Sequence, residues 1–269
     1  MAKRKLNIPA LTGAIFCSAV IICAIFAPWL APYDPDAQDL KGQLQGPSLR
    51  HPLGQDELGR DVISRIIWGS RASMLVGICV VSVSLLIGAL LGGLAGYAGG
   101  IVDNLIMRIV DVLLAFPGIL LAIAVAGILG PSLFNVIFAL CLMGWVGFAR
   151  LVRAQVLSVR EREFVLAARS IGASPTRIII RHVMPEVTAP VVVQATFAIA
   201  GTIIAESSLS FLGLGPQDIP TWGSMLNRGV DYLLFAPHLA TFPGLLVMIT
   251  VLGFNFLGDA LRDAMDVRR

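Results

Sequence analysis

Five long stretches of the chain contain no Asp, Glu, Lys or Arg: Leu6–Tyr33 (28 residues), Ser73–Val102 (30), Val112–Ala149 (38), Val187–Ala205 (19) and Tyr232–Gly258 (27). A helix rising about 1.5 Å per residue needs only about 20 apolar residues to cross the hydrocarbon core of a bilayer. Four of these stretches therefore predict one span each. The Val112–Ala149 stretch is nearly twice that length and carries Gly130-Pro131-Ser132 at its centre, a turn signal that predicts a helical hairpin. The total is six spans in an all-α, polytopic membrane protein. Gly88, Gly92 and Gly96, four apart in the second stretch, form a stripe on which another helix can pack closely.

The first stretch follows Lys3, Arg4 and Lys5 and is open to a second reading, a cleaved signal peptide. Its length exceeds the usual 7–15 apolar residues or so of such a signal and favours a retained anchor. With the N-terminus inside, 14 of the 20 basic residues fall on the inner side, seven of them between Arg150 and Arg181. The six outer ones, Lys41, Arg50, Arg60, Arg65, Arg71 and Arg228, are mostly interspersed with acids. This bias predicts that both termini are cytoplasmic.

The chain divides into an anchor helix with an exterior segment (1–72) and a five-helix core (73–269) containing an inner loop, 150–186. No linker separates them, so they form one membrane domain. The exterior segment ends in Asp61–Arg71, where Val62, Ile63, Ile66 and Ile67 share a face, Asp61 and Arg65 stand four apart, and Trp68 suits a headgroup boundary. A short interfacial helix with an Asp61–Arg65 pair is expected there.

Composition agrees with a bilayer protein: 57% of residues are hydrophobic, 14% charged, and mean hydropathy is +0.83. A net charge of +3 argues against nucleic acid as a partner. Cys17, Cys23, Cys79 and Cys141 lie in apolar runs without metal-ligand spacing, and His51, His182 and His238 are scattered, so no metal site is expected.

The inner loop is patterned too sharply for a solvated connector. Glu161–Ile171 predicts a helix with Phe164, Ala167, Ala168 and Ile171 recurring at three- and four-residue intervals, and Gly172 at its stop. Ser174 and Pro175 open a second helix, lined by Ile178, Ile179 and Val183 and ended by Pro185. Ala168 and Gly172 would leave a notch free of side chains. By physics alone, a basic hairpin resting on anionic lipid and a docking site for another protein are both open.

Resemblance separates them. Glu163-Phe-Val-Leu-Ala-Ala-Arg-Ser-Ile-Gly-Ala-Ser-Pro-Thr-Arg-Ile-Ile-Ile-Arg-His-Val-Met-Pro185 resembles the EAA loop of bacterial ABC importer permeases, with Leu166 where that motif has Glu and His182 where it has an aliphatic residue. His51-Pro-Leu-Gly-Gln-Asp-Glu-Leu-Gly-Arg-Asp61, Arg108-Ile-Val-Asp-Val-Leu-Leu-Ala-Phe-Pro117, Ser208-Leu-Ser-Phe-Leu-Gly-Leu-Gly215, Pro220-Thr-Trp-Gly223 and Gly258-Asp-Ala-Leu-Arg-Asp263 look like the "C" permeases of dipeptide, oligopeptide and nickel importers. The resemblance implies a type I ABC importer permease fold in the bacterial inner membrane. It also implies coupling through Glu163, Ala167, Ala168, Arg169, Gly172, Ala173, Ser174, Pro175, Arg177 and Pro185. The implied partners are a second related permease, two cytoplasmic ATPase subunits that hold ATP and Mg, and an extracytoplasmic binding protein. No phosphate-cradling Gly-x-x-x-x-Gly-Lys-Ser/Thr run occurs in the chain, so no cofactor of its own is expected and ATP hydrolysis falls to the partners. The cargo implied is a di- or oligopeptide, with nickel or a nickel chelate as the alternative.

Glu206 lies near the outer end of the fifth span, where a charge facing lipid is costly, so it is expected to face water or a partner. Gln194, Thr196, Thr202, Ser207 and Ser210 are expected to line the passage with it, although hydrogen bonds between helices would use the hydroxyls equally well. Asp103, Arg108 and Asp111 suggest a clasp at the inner turn, Arg108 and Asp111 being three apart. Asp259, Arg262, Asp263 and Asp266 read as a helix end at the inner surface. Pro117 and Pro243 are expected to bend their spans. An intramembrane enzyme would need paired catalytic groups that Glu206 alone does not supply. A secondary transporter would need inverted repeats around an ion site.

Overall fold

The computed structural model describes residues 8–266, and among these every regular element is helical. Lys3, Arg4, Lys5, Arg268, Arg269 and the side chain of Asp266 lie outside the described residues. The long helices are α1 (Ile8–Leu30), α2 (Val62–Ala98), α5 (Leu133–Val159), α8 (Met184–Phe211) and α10 (His238–Asp266). Shorter ones are α3 (Gly100–Leu114), α4 (Gly118–Leu129), α6 (Glu163–Ser170), α7 (Pro175–Ile178) and α9 (Trp222–Val230). Among the described residues five helices are long and apolar enough to cross a membrane, and the sharply bent α3–α4 pair brings the number to six if it counts as one broken span.

The break is sharper than the bend predicted at Pro117. α3 and α4 meet at 80°, and α4, at 12 residues, is about 18 Å long, too short to cross alone. Pro117 has no N–H to continue α3 and instead stands as the extended residue before α4. Pro243, by contrast, is carried inside α10 without interrupting it.

The most extensive contact in the molecule is between α2 and α5. Its centre is the predicted glycine stripe. A Cβ at Gly88 would lie 2.7 Å from the Trp145 carbonyl oxygen, one at Gly92 would overlap the Ala149 carbonyl, and one at Gly96 would lie 2.9 Å from the Arg153 oxygen. Lipid tails are as apolar as leucine, so backbone approach of this kind supplies the van der Waals attraction that holds membrane helices together. α1 packs on α10 and α2 through Cys17, Val20, Met74 and Phe254, with Gly13 against the Gly253 backbone.

Two expectations about residues 61–72 are corrected. The segment is not a separate interfacial helix but the opening of α2, which runs unbroken across position 72. Val62, Ser64, Arg65 and Ile66 are buried, because the folded 31–61 segment and α9–α10 pack against this side of α2, while Ile63, Ile67 and Trp68 stay partly exposed. Nor do Asp61 and Arg65 pair. Asp61 caps α2, accepting from the Ser64 N–H (2.8 Å) and Oγ (2.7 Å), and meets His51 Nδ1 at 2.8 Å. Arg65 reaches the other way, donating to the Pro35 carbonyl at 2.9 Å and Asp36 at 3.2 Å, with Asp56 at 3.5 Å. The sequence separation was right for a pair, but capping the first N–H groups of a helix claimed the aspartate first.

The clasp at Asp103 and Asp111 is real but runs elsewhere. Asp103 receives two hydrogen bonds from Arg153, one at 2.6 Å, and Asp111 receives one from Arg150 at 3.0 Å, both arginines lying on α5. The pairs fasten α3 across to α5, and Arg108 is exposed.

Gly92→Ala is expected to lower the thermal stability of the purified protein by roughly 1–3 kcal/mol through overpacking, whereas Gly93→Ala, whose Cβ would meet nothing within 4 Å, should hold or raise it. Equal melting temperatures for the two variants would refute the close approach. Arg65→Met should expose the 31–61 segment to limited proteolysis while α-helical circular dichroism is retained, since it leaves the buried Asp56 short of a partner.

Candidate functional site

At the end of α5 the chain turns through α6 and α7 and re-enters the bundle as α8. Three sequence features build this elbow as expected. Gly172, at φ +82°, ends α6 in a left-handed conformation. The Ala173 N–H bonds to the Ala168 carbonyl at 3.1 Å and the Gly172 N–H to Arg169 at 3.0 Å, the paired pattern of a Schellman stop. Ser174 then caps α7, accepting from the Arg177 N–H at 3.4 Å, with Pro175 in the first turn.

Pro185 does not end the second helix. Residues Ile179–Val183 form a π turn, in which the Met184 N–H reaches back five residues to the Ile179 carbonyl, and α8 begins directly after it. The wider turn resets the hydrogen-bond ladder so that Pro185 falls in a first turn, where its missing N–H costs nothing. Pro175–Phe211 is therefore one continuous 37-residue run, and motion of the elbow is delivered straight into α8.

The elbow has an inner and an outer face, differently drawn from the expected ones. Val165 (0% exposed) and Ala168 (6%) pack inward with Val152, Val156, Ile178, Val183 and Val187. Ala168 is thus part of the chain's own core, and the notch expected from Ala168 and Gly172 together is corrected to Gly172 alone, which has open space around it. Phe164, Leu166, Ala167 and Ile171 face outward, Ile171 at 86% exposure, joined by Ile180 at 66%. Leu166 thus adds an apolar surface at the position where the loop motif carries Glu. Glu163, Arg169, Ser174, Pro175, Arg177 and Pro185 are exposed around this face, while Ala173 packs against the core beneath. Arg160 donates to the Gly96 carbonyl at 2.9 Å and Arg162 to Glu186 at 2.9 Å, tying the elbow to the ends of α2 and α8.

The six residues expected to line a passage are not brought together. Glu206 does not face water: it is fully buried, and Ser73 donates to it from α2 at 3.0 Å, Ser210 at 2.7 Å and Ser207 at 3.5 Å. Ser207 and Ser210 are buried with it. A carboxyl group buried with hydroxyl donors escapes the penalty of facing lipid without needing water, which is why depth alone misled. Ser73, on another span, gave no signal of this partnership in the sequence. Thr196 spends its hydroxyl on the Val193 carbonyl at 2.6 Å. Gln194 and Thr202 do border open space. Thr202 edges a largely apolar cleft of about 280 Å³ between α4, α5 and α8, and Gln194 lines one of about 450 Å³ between α5, α8 and α10.

At the opposite end from the elbow, the His51–Asp61 motif folds into a lock. Arg60 bonds Asp56 at 2.7 Å and Glu57 at 2.8 Å, and Arg228 of α9 reaches Glu57 at 3.3 Å. Thr221 and Ser224 form a reciprocal cap on α9, and the buried Trp222 donates from Nε1 to the Ile66 carbonyl at 3.1 Å. The two short motifs therefore bind the 31–61 segment, α2 and α9 to one another.

Five long apolar helices and one bent helix pair, with an apolar, arginine-rimmed elbow at one end, define a multi-span membrane subunit. Comparison with known proteins supplies the family. Residues 84–269 match the model of the binding-protein-dependent transport system inner membrane component, and residues 5–47 match the N-terminal TM domain of oligopeptide transport permease C. The chain is 45% identical over 263 residues to the dipeptide transport system permease protein DppC of Alkalihalophilus pseudofirmus, covering 97% of this chain and 86% of that protein. It is 49% identical over 259 residues to the glutathione transport system permease protein GsiD of Escherichia coli, covering 96% and 86%. Among solved structures it is similar to the inward-facing MetNI methionine ABC transporter, with a TM-score of 0.62 at 20% identity over 75% of this chain and 96% of that one. The chain belongs to the binding-protein-dependent transport system inner membrane components, as an ABC importer permease of the DppC/OppC type. It is a multi-pass protein of the bacterial cytoplasmic membrane, and the ATP hydrolysis that drives such permeases is carried by separate subunits.

Glu206→Leu strands the Ser73 and Ser210 hydroxyls and should destabilise the purified protein by about 1–3 kcal/mol, with Glu206→Gln losing less. A Glu206→Leu protein that melts with the wild type would show that these bonds do not hold α2 to α8.

Proposed function

We propose that this chain forms, with a second related permease, the path by which an importer brings di- or oligopeptides into the cytoplasm. On this reading the arginine-rich elbow end of the bundle is cytoplasmic, both termini lie on that side, and two ATPase subunits dock on the elbow. An extracytoplasmic binding protein delivers cargo to the opposite end. The observation that carries the reading is the two-sided elbow: an exposed apolar face around Ile171, rimmed by Arg169, Arg177 and Arg181, backed by Val165 and Ala168 locked into the bundle. A partner gripping the outer face would move the inner one as a rigid body, and through the uninterrupted α7–α8 run would move the span that borders both clefts.

Peptide cargo is supported by the two relatives, named for dipeptide and glutathione transport, each similar over nearly the whole of this chain.

The test is ATP-dependent uptake by the complete importer in proteoliposomes, with dialanine and Ni²⁺ offered separately. Dialanine uptake is expected, and uptake of Ni²⁺ alone would overturn the peptide reading. In the same system Ile171→Asp should abolish stimulated ATP hydrolysis while shifting permease stability by no more than about 0.5 kcal/mol, as for other surface changes. Val165→Asp, which buries a charge, should instead prevent stable folding. Normal coupling in Ile171→Asp would remove the docking model.

A further inference from the structure

The cleft of about 450 Å³ between α5, α8 and α10 is of a size that suits a small ligand (about 300–1,000 Å³). It lies near the elbow end. Leu151 and Gln155 belong to the last third of α5, Gln194 to the first half of α8 and Arg262 to the last turns of α10. Three polar side chains from three helices converge here. Gln155 is half-buried and Gln194 and Arg262 are exposed, and among the described residues neither carboxamide has a hydrogen-bond partner and Arg262 has no carboxylate at ion-pair distance. The remaining walls, including Leu151, Val193 and Phe197, are apolar, and among the described residues no acidic side chain lines the cleft. Two other clefts differ. That beside Thr202 is almost wholly apolar, and that beside Arg108 contains Asp111.

From this arrangement we infer that the cleft is a cargo site for a carboxylate-bearing peptide, with Arg262 receiving the carboxylate and Gln155 and Gln194 the peptide group. The inference rests on the peptide reading above and narrows it. A guanidinium offers two parallel N–H groups matched to the two oxygens of a carboxylate. Each glutamine offers both a donor and an acceptor, the complement of an amide N–H and C=O. A bare divalent cation is disfavoured: it needs carboxylate, imidazole or thiolate ligands, and the described lining of the cleft supplies none. A metal would be accepted only within a chelate that itself carries carboxylates. Because Arg262 is exposed, its attraction is screened by water and salt, and binding is weak. Weak binding is what a last station before release requires, since a tight site there would hold the cargo back.

The same guanidinium would also take the phosphate of an anionic lipid, and the experiment separates the two. The complete importer, with the four native cysteines replaced by alanine and Ala189→Cys placed in the cleft wall, is put in nanodiscs of purely zwitterionic lipid and labelled with a neutral maleimide. Dialanine is expected to slow labelling, and dialanine amide, which lacks the carboxylate, and Ni²⁺ are expected not to. Arg262→Gln should shift the protecting concentration roughly tenfold upward, Arg262→Lys should recover part of it, and Gln155→Leu should weaken protection independently. Equal protection by dialanine amide, or unchanged protection in Arg262→Gln, overturns the inference. So does labelling that dialanine never slows in these nanodiscs but that is slowed when the importer is placed in nanodiscs containing anionic lipid. ATP-driven dialanine uptake without any protection sinks this site alone, whereas absence of uptake of any peptide sinks the proposed function with it.

Discussion

The structure depends on how closely the backbones of α2 and α5 approach. In water, burying apolar surface would hold two such helices together whatever their detailed shape. In lipid that drive is absent, and the attraction comes from atoms brought into contact. Gly88, Gly92 and Gly96 remove the side chains that would keep the helices apart, so α5 lies directly against α2. α5 in turn carries the elbow on its end, holds α3 through Arg150 and Arg153, and forms a wall of both clefts. Most of the features with a functional meaning are fixed by reference to that one contact.

Polar groups do the remaining fastening, and they do so inside the bundle. The Glu206 carboxyl joins α8 to α2 through Ser73, Trp222 joins α9 to α2 through the Ile66 carbonyl, and Arg65 joins α2 to the 31–61 segment. In each case a group that would be costly in an apolar environment is satisfied by a partner far away in sequence. The elbow follows the opposite rule. Its stop, cap and π turn are all local, and what it leaves uncovered is an apolar surface, which a second protein can cover with gain. Rigid attachment on one side and an unfilled face on the other are what a mechanical coupling element requires.

The spans, the glycine stripe, the stop at Gly172 and the start at Ser174 were legible in the sequence, because each is set by residues within a few positions of one another. Where reading by position failed, a competing partner had intervened. Asp61 was taken by the helix start and His51 instead of Arg65, and Asp111 by Arg150 instead of Arg108. Pro185 was absorbed by the π turn before it. The apolar repeat Phe164, Ala167, Ala168, Ile171 did not hold as one face: Ala168 turns inward with Val165 while Phe164, Ala167 and Ile171 turn outward, because periodicity alone does not fix the rotation of a helix against its neighbours.

The sequence by itself determined that this chain crosses a bilayer several times and where its basic residues collect, since hydrophobic length and charge are properties of the chain read one segment at a time. Its local stops and caps belong to the same class. Only the tertiary structure decided that Glu206 is a fastening within the subunit, that Ile171 faces outward, and that Gln155, Gln194 and Arg262 meet in one cleft. Those facts depend on which helices lie side by side and at what rotation, and that choice is made by backbone contact between segments distant in the chain, which no local pattern records.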